Sequence, residues 1–426
     1  MGPLGERASG LEMSKALSKV SLGFFVTIGL IACSDSPSDA PVQFDSVISN
    51  GQLVDGLGGS ARAADVYLKD GVIAAITAPG ELDAAVTNII DATGKIIAPG
   101  FIDVHSHGDP LETPDFENFL AQGVTTITLG QDGDSPNVAD LGEWVDEVSE
   151  KGIGVNLAMF VGHGTLRDLA GIGQDPAPGP DQIQRMLELL NNSLDHAFGL
   201  STGLEYNPGL HAPESELVEI AKVVGSRDRV IMSHMRNEDD DQLEKSIDEI
   251  LSQGVYARVH ISHLKSVYGK GSARAEEILE VIERAREAGI ELSADVYPYN
   301  ASYAGLALLF PVWSKTDEEF AVAISDRREE LEEYLINRIT VRNGPEATLL
   351  ATDPYTGKTL ADLEQELGLP FEKILIDVIG PQGGSGAYFI MDDELQSRLL
   401  LDGNITVSSD GSPTGFHPRG HGTFAK

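Results

Sequence analysis

Residues 96–109 read IIAPGFIDVHSHGD, and across this stretch the character of the chain changes. Before it lie short β-like segments. Residues 44–56 (FDSVISNGQLVDG), 65–76 (DVYLKDGVIAAI) and 88–100 (NIIDATGKIIAPG) alternate apolar and polar residues. Asn50-Gly51 and Asp70-Gly71 sit between alternating runs, where two-residue hairpin turns are expected. After residue 101 apolar runs alternate with amphipathic helical segments. Candidate strands are 101–107, 124–130, 154–161, 197–201, 229–234, 257–263, 290–296 and 404–410, with helical periodicity over 182–191, 214–224, 241–251 and 275–287. Such strand–helix units predict an α/β fold, a TIM (β/α)8 barrel over 99–426, in preference to a doubly wound open sheet. Residues 41–98 then form a small β domain of sandwich type. The stretch 298–403, between strands seven and eight, exceeds one crossover helix and predicts an insertion of the kind that lines a site. Little chain follows Asp410, so the last barrel helix is expected to be short or missing and the C-terminus truncated.

With 41% hydrophobic residues and no fixed-period repeat, the composition is that of a globular protein. The net charge of −37, without a Lys/Arg cluster, excludes a nucleic-acid partner and describes a solvated, self-repelling surface. One cysteine rules out an intrachain disulfide. It closes the segment MSKALSKVSLGFFVTIGLIACSDS (13–36), in which Lys15 and Lys19 precede an apolar run over 20–32. That run falls short of the roughly 20 residues needed to span a bilayer and has the build of a secretory signal. Leu30-Ile31-Ala32-Cys33 also resembles a bacterial lipobox. The expectation is a signal peptide with lipobox over 1–33, a polar linker over 34–40, and a periplasmic protein that meets the membrane only through a lipid on Cys33. Ser34 after the cysteine favours the outer membrane.

The chemistry gathers at the candidate strand ends. His105 and His107, two apart, point to one side of strand one, and two imidazoles so placed suit one zinc-class ion. Alone, His-x-His is a weak motif. Strand two ends at GQDG with Asp132, strand five at SHMR with His234, strand six at HISHLK with His263 and strand eight at SSDG with Asp410. Imidazoles and carboxylates thus share the C-terminal end of the proposed barrel, where the sites of such barrels lie.

As a set these phrases are recognisable. IIAPGFIDVHSHGD resembles the metal-site entry of the amidohydrolase superfamily. The ordered series GQDG, VGHGTLR, GLSTGLEYNPG, SHMRNE, HISHLK, ADVYPY, SSDG and HPRGHGTF resembles the N-acyl-D-amino-acid deacylase (D-aminoacylase) family over about residues 43–426. The resemblance implies one or two divalent ions, Zn(2+) foremost, one held by His105, His107 and Asp410 and the other by His234, His263 and a ligand from strand two. Known members carry a cysteine in a GNCG-like motif there. This chain has Asp132, with Glu205 as the competing bridge. A metal-activated water would attack the amide, Asp410 would carry its proton to the leaving amine, and Tyr297 or His163 would help polarise the carbonyl. By the same resemblance Lys265, Tyr297 and Arg419 hold the substrate's α-carboxylate. The implied substrate is a small N-acyl-D-amino acid or small peptide. Alternatives are a D-amino-acid or isoaspartyl-type dipeptidase, a cyclic-amide hydrolase, or a lipid-anchored metal- or ligand-binding protein without catalysis.

Overall fold

The computed structural model describes residues 43–426. The signal sequence, lipobox and linker read over 1–40 lie outside the described residues. No helix among the described residues is long and apolar enough to cross a membrane. The chain divides into two compact units, with the division between Pro99 and Gly100.

In the first unit β1 (Gln43–Leu53), β2 (Arg62–Lys69), β3 (Val72–Thr77), β4 (Ala85–Asp91) and β5 (Ile96–Ile97) form a five-stranded sheet in the order β3-β2-β1-β4, with β5 also on β1. The pairs β1–β2 and β2–β3 are antiparallel, while β4 and β5 run parallel to β1. Asp70-Gly71, both at positive φ (51° and 77°), turns β2 into β3 as expected. Asn50-Gly51 does not turn the chain. It lies inside β1, where the register with β2 slips between Ile48 and Gly51. Asn50, at φ 63°, is absorbed in this irregularity, and its N–H donates to Asp65 Oδ1 at 3.0 Å. A Cβ on Gly51 would lie 2.5 Å from the Ile97 side chain, so the glycine serves close packing here.

The second unit is a TIM (β/α)8 barrel. Its strands are β6 (Phe101–Asp103), β7 (Val124–Leu129), β8 (Asn156–Gly162), β9 (Gly199–Gly203), β10 (Val230–His234), β11 (Arg258–Ile261) and β12 (Leu292–Val296), then, after the insertion strands β13 (Ser302–Gly305), β14 (Thr348–Leu350) and β15 (Ser385–Tyr388), β16 (Ile405–Val407). The eight barrel strands lie side by side in parallel from β6 to β12, with β16 after β12. The circle closes just beyond the strands, where Ser106 bridges to Gly411, His107 N donates to Gly411 O at 2.8 Å and Asp410 N to His105 O at 2.8 Å. Strand residues such as Ile127, Leu200, Ile231, Ile261 and Val296 are buried against helix residues such as Leu190, Leu217, Ile247 and Ile278. The helices carrying that apolar face include Pro180–Ser193, Glu214–Ser226, Leu243–Gly254 and Gly271–Glu287. Each covers a segment whose helical period is legible in sequence.

The insertion after β12 has its own antiparallel sheet, in the order β13-β15-β14. Its apolar core includes Leu306, Phe310, Leu331, Leu335, Leu360 and Tyr388, and Tyr297 from the end of β12 belongs to it. The helix Asp393–Leu400 then leads back to β16, and two short helical turns, Arg419–Gly422 and Thr423–Ala425, follow that strand.

The loops after β8 and β9 are tied by a buried charge cluster. Glu216, in the first turn of Glu214–Ser226, accepts from Arg167 Nη1 at 2.6 Å and from His163 Nε2 at 2.7 Å, all three side chains fully buried. Arg167 also donates to the carbonyls of Gly173 and Asp175. Removing one partner leaves an uncompensated buried charge. Glu216→Ala is therefore expected to cost about 3–5 kcal/mol, read as a lowered urea midpoint, with Glu216→Gln milder.

Candidate metal centre

Six side chains converge beyond the C-terminal ends of the barrel strands. His105 and His107 follow β6, Asp132 follows β7, His234 is the last residue of β10, His263 follows β11 and Asp410 follows β16. Asp132 is the hub. Its Oδ1 lies 3.4 Å from His105 Nε2, 3.4 Å from His263 Nε2 and 3.7 Å from His234 Nδ1, and its Oδ2 lies 3.5 Å from His107 Nε2. Asp410 Oδ1 is 3.0 Å from His107 Nε2 and 3.7 Å from His105 Nε2. His234 Nδ1 and His263 Nε2 face each other at 2.9 Å.

These atoms fall into two donor sets that share Asp132: His105, His107, Asp132 and Asp410, then Asp132, His234 and His263. Both ring nitrogens of His105 and Oδ1 of Asp132 are buried without a hydrogen-bond partner among the described residues. Burial opposes charge on His105, yet Asp132, Asp295 and Asp410 outweigh it and raise its pKa well above the ordinary imidazole value. The carboxylates thus make this a place where positive charge is stabilised. Imidazole nitrogen with carboxylate oxygen is the donor chemistry of zinc-class ions, and the residues fit such an ion at either set.

The backbone is shaped for this convergence. Asp132, His263 and Asp410 all adopt positive φ (54°, 35° and 50°), a conformation costly for residues with a Cβ and retained where the fold over-determines it. Gly203 makes room beside Asp132: a Cβ there would lie 1.9 Å from the Asp132 carbonyl oxygen.

Further carboxylates hold the outward nitrogens. Glu205 Oε2 lies 3.3 Å from His234 Nε2, and Glu238 Oε1 lies 3.2 Å from His263 Nδ1. An acceptor on the outer nitrogen leaves the inner one free to ligate. Asp132 faces the inner nitrogens of both sets, whereas Glu205 meets the other ring nitrogen of His234 and forms a further donor group with His234 and Glu238. Asp295 accepts from the backbone N of His263 at 2.9 Å and from His260 Nε2 at 2.7 Å. Glu238 and Asp295 escaped the sequence reading of roles, although both stand inside the quoted phrases SHMRNE and ADVYPY.

The centre opens into a cavity of about 580 Å³ whose wall includes Lys265, Tyr297, Ser302 and Arg419. Lys265 Nζ donates to Glu238 Oε1 at 2.7 Å and lies 2.7 Å from His263 Nδ1. Arg419 Nη1 donates to Asp410 Oδ2 at 2.5 Å. Tyr297 OH and Ser302 Oγ are buried without partners among the described residues. Burial first of all pushes Tyr297 up to about 12, against the pull of Lys265 and Arg419, so it remains a protonated donor. His163 is not brought to the centre: Glu216 takes its Nε2, and it cannot polarise a carbonyl there. His417 lines the cavity, with its Nδ1 accepting from Arg419 N at 3.0 Å.

No family model matches the chain. It is 32% identical over 404 residues to an N-acyl-D-glutamate deacylase of Alcaligenes xylosoxydans xylosoxydans, covering 88% of this chain and 75% of that protein. An N-acyl-D-aspartate deacylase of the same organism is 31% identical over 421 residues, covering 91% and 76%. Among solved structures, N-acyl-D-glutamate deacylase from Bordetella bronchiseptica, complexed with zinc and a phosphonate inhibitor that mimics the tetrahedral intermediate, superposes with a TM-score of 0.75. It is 31% identical, covering 90% of this chain and 80% of that one.

Because Asp132 belongs to both donor sets, Asp132→Ala is expected to lower bound zinc at both positions. His234→Ala is expected to remove one position and leave the set at His105, His107 and Asp410. Metal content by mass spectrometry after dialysis distinguishes the two variants.

Proposed function

The chain belongs to the N-acyl-D-amino-acid deacylase (D-aminoacylase) family of amidohydrolases, and on that footing we infer that it hydrolyses the linear amide of N-acyl-D-amino acids, with zinc as cofactor. The observation that carries the reading is the convergence on Asp132 of four imidazoles, with Asp410 beside them at the mouth of a cavity sized for a small molecule. Zinc supplies acidity to a water and draws electron density from the scissile carbonyl.

The chain's own residues divide the remaining work. Burial disfavours charge on Asp410, but Arg419, His263, His107 and His105 overcome it and hold its carboxyl well below the usual range, so it is ionised at neutral pH. Arg419 anchors Oδ2 and leaves Oδ1 turned to the centre. Asp410 Oδ1 is thus the atom that accepts the proton of the attacking water and returns it to the departing amine. Tyr297 OH and Ser302 Oγ offer unspent donors to the substrate's α-carboxylate. Lys265 Nζ lies 5.8 Å and Arg419 Cζ 5.2 Å from the Tyr297 ring centre and supply positive charge beside it. Glu238 and Asp410 already partner these two cations, so their charge acts as a field rather than as free hydrogen-bonding groups.

A zinc-loaded preparation is expected to release the D-amino acid from N-acetyl-D-amino acids and to leave the L-enantiomers essentially untouched, as read by chiral chromatography. Equal rates for both enantiomers would remove the stereochemical claim. Asp410→Asn is expected to lower kcat by about 10²–10⁴-fold, the range of a lost general base, while bound zinc falls much less.

The periplasmic address remains a reading of the sequence. Lys15 and Lys19, the apolar run over 20–32 and Cys33 support it. Cys33→Ala is expected to move the protein from the membrane fraction to the soluble periplasmic fraction, and wild-type protein confined to the cytosol would refute it.

A further inference from the structure

Beneath the metal centre a line of polar side chains runs through His260, a residue that no step of the reaction uses. On β11 Val259 and Ile261 pack against the helices, so His260 between them points into the barrel. On β12 Leu292, Ala294 and Val296 face the helices in the same way, and Ser293 and Asp295 point inward. The register of the two strands sets His260 beside Ser293, with Asp295 two residues further along. Ser293 Oγ lies 2.7 Å from His260 Nδ1, and His260 Nε2 lies 2.7 Å from Asp295 Oδ2. Ser293 is exposed, His260 is only 7% exposed and Asp295 is fully buried.

The line ends on ligands of both donor sets. Asp295 Oδ1 accepts from the backbone N of His263, a residue held at φ 35°, and from Ser408 Oγ. Asp295 Oδ2 lies 3.8 Å from His105 Nδ1, which has no hydrogen-bond partner among the described residues. The other nitrogen of that ring, Nε2, faces Asp132 and Asp410. Burial opposes charge on Asp295, yet the neighbouring His105 and His260 outweigh it and hold the carboxyl well below its usual range. An ionised carboxylate only accepts, so His260 Nε2 carries the proton between them. A neutral ring then accepts the Ser293 hydroxyl at Nδ1, which keeps it in the Nε2–H form.

We propose that His260 is a positioning residue for the metal centre: its Nε2–H holds Asp295 Oδ2 against His105, and Ser293 keeps it in the tautomer able to do so. An acceptor on the outer nitrogen fixes the orientation and basicity of a ligating imidazole. His260 acts one hydrogen bond further out, on the acceptor itself. Asp295 carries the effect to His105 in one donor set and to His263 in the other. This rests on the zinc-deacylase reading and adds to it a device that sets how tightly zinc is held.

The test measures zinc affinity, by competition with a chelating dye, on two variants. His260→Phe keeps a ring but neither hydrogen bond, whereas the amide of His260→Gln can donate to Asp295 and accept from Ser293. The expected result is an affinity at least about tenfold weaker in His260→Phe, the scale on which such outer partners act, and recovery to within about threefold of wild type in His260→Gln. Wild-type affinity in His260→Phe would overturn the proposal. Equal losses in both variants would do the same, because packing rather than hydrogen bonding would then be at work. Should His260→Phe fail to fold, nitrogen NMR of wild-type protein with isotope-labelled histidine decides. His260 is expected to be protonated at Nε2 and to shift between the metal-free and zinc-loaded protein. An Nδ1–H tautomer, or a signal indifferent to zinc, refutes the proposal. Failure to turn over N-acetyl-D-amino acids with these zinc ratios intact counts against the deacylase reading alone.

Discussion

Barrel closure is the constraint on which the site depends. His107 and Asp410 are 303 positions apart, yet Nε2 of one lies 3.0 Å from Oδ1 of the other. Two backbone hydrogen bonds, Asp410 N to His105 O and His107 N to Gly411 O, clip the first and last strand ends together at this point. They also place three ionisable groups where each alone would be costly to bury. Buried Asp410 is held ionised by Arg419, His263, His107 and His105, and buried His105 draws on Asp132, Asp295 and Asp410, groups that closure brings together. The geometry of the centre and the integrity of the barrel are therefore one problem.

Buried carboxylates beneath the centre keep that clip rigid. Asp103 accepts from Ser409 N at 2.9 Å and from His105 N at 3.3 Å, joining the first strand to the last, and burial pushes its carboxyl up to about 7 despite those bonds. Asp295 ties the end of β12 to the segment after β11 through His263 N, and to the segment after β16 through Ser408. These acids accept from backbone groups of residues that themselves ligate or flank ligands, and so they set where the imidazoles can point. Three of the six converging residues pay for their positions with left-handed backbone, which such a scaffold can impose.

The insertion adds a different kind of control. Arg338 and Arg342 meet Asp239, which follows β10, and Arg338 also lies near Glu205 after β9. Its helices are thereby connected to the carboxylate that orients His234. Tyr297 sits in the insertion's apolar core while its hydroxyl faces the cavity wall. The barrel assembles the hydrolytic centre, and the inserted segment shapes what can lie against it.

Much of this was legible in the sequence because it is local. Each of the eight barrel strands coincides with an apolar run, and period 2 or 3.6 is visible within a dozen residues. His105, His107, His234, His263 and Asp410 stood out because each follows such a run directly. Asn50-Gly51 misled because a positive-φ dipeptide suits an irregular strand as well as a turn, and the choice lay with Asp65 and Ile97, distant in sequence. His163 misled because its partner Glu216 arrives from another helix. The sequence by itself determined which donors this protein carries and at which end of the barrel they emerge. Only the tertiary structure decided that Asp132 is shared while Glu205 stands behind His234, that Lys265 and Arg419 are each paired with an acid, and that Arg342 shares Asp239 with Arg338. Those distinctions are distances of a few ångströms between side chains from different strands, set by how the barrel closes and how the insertion packs.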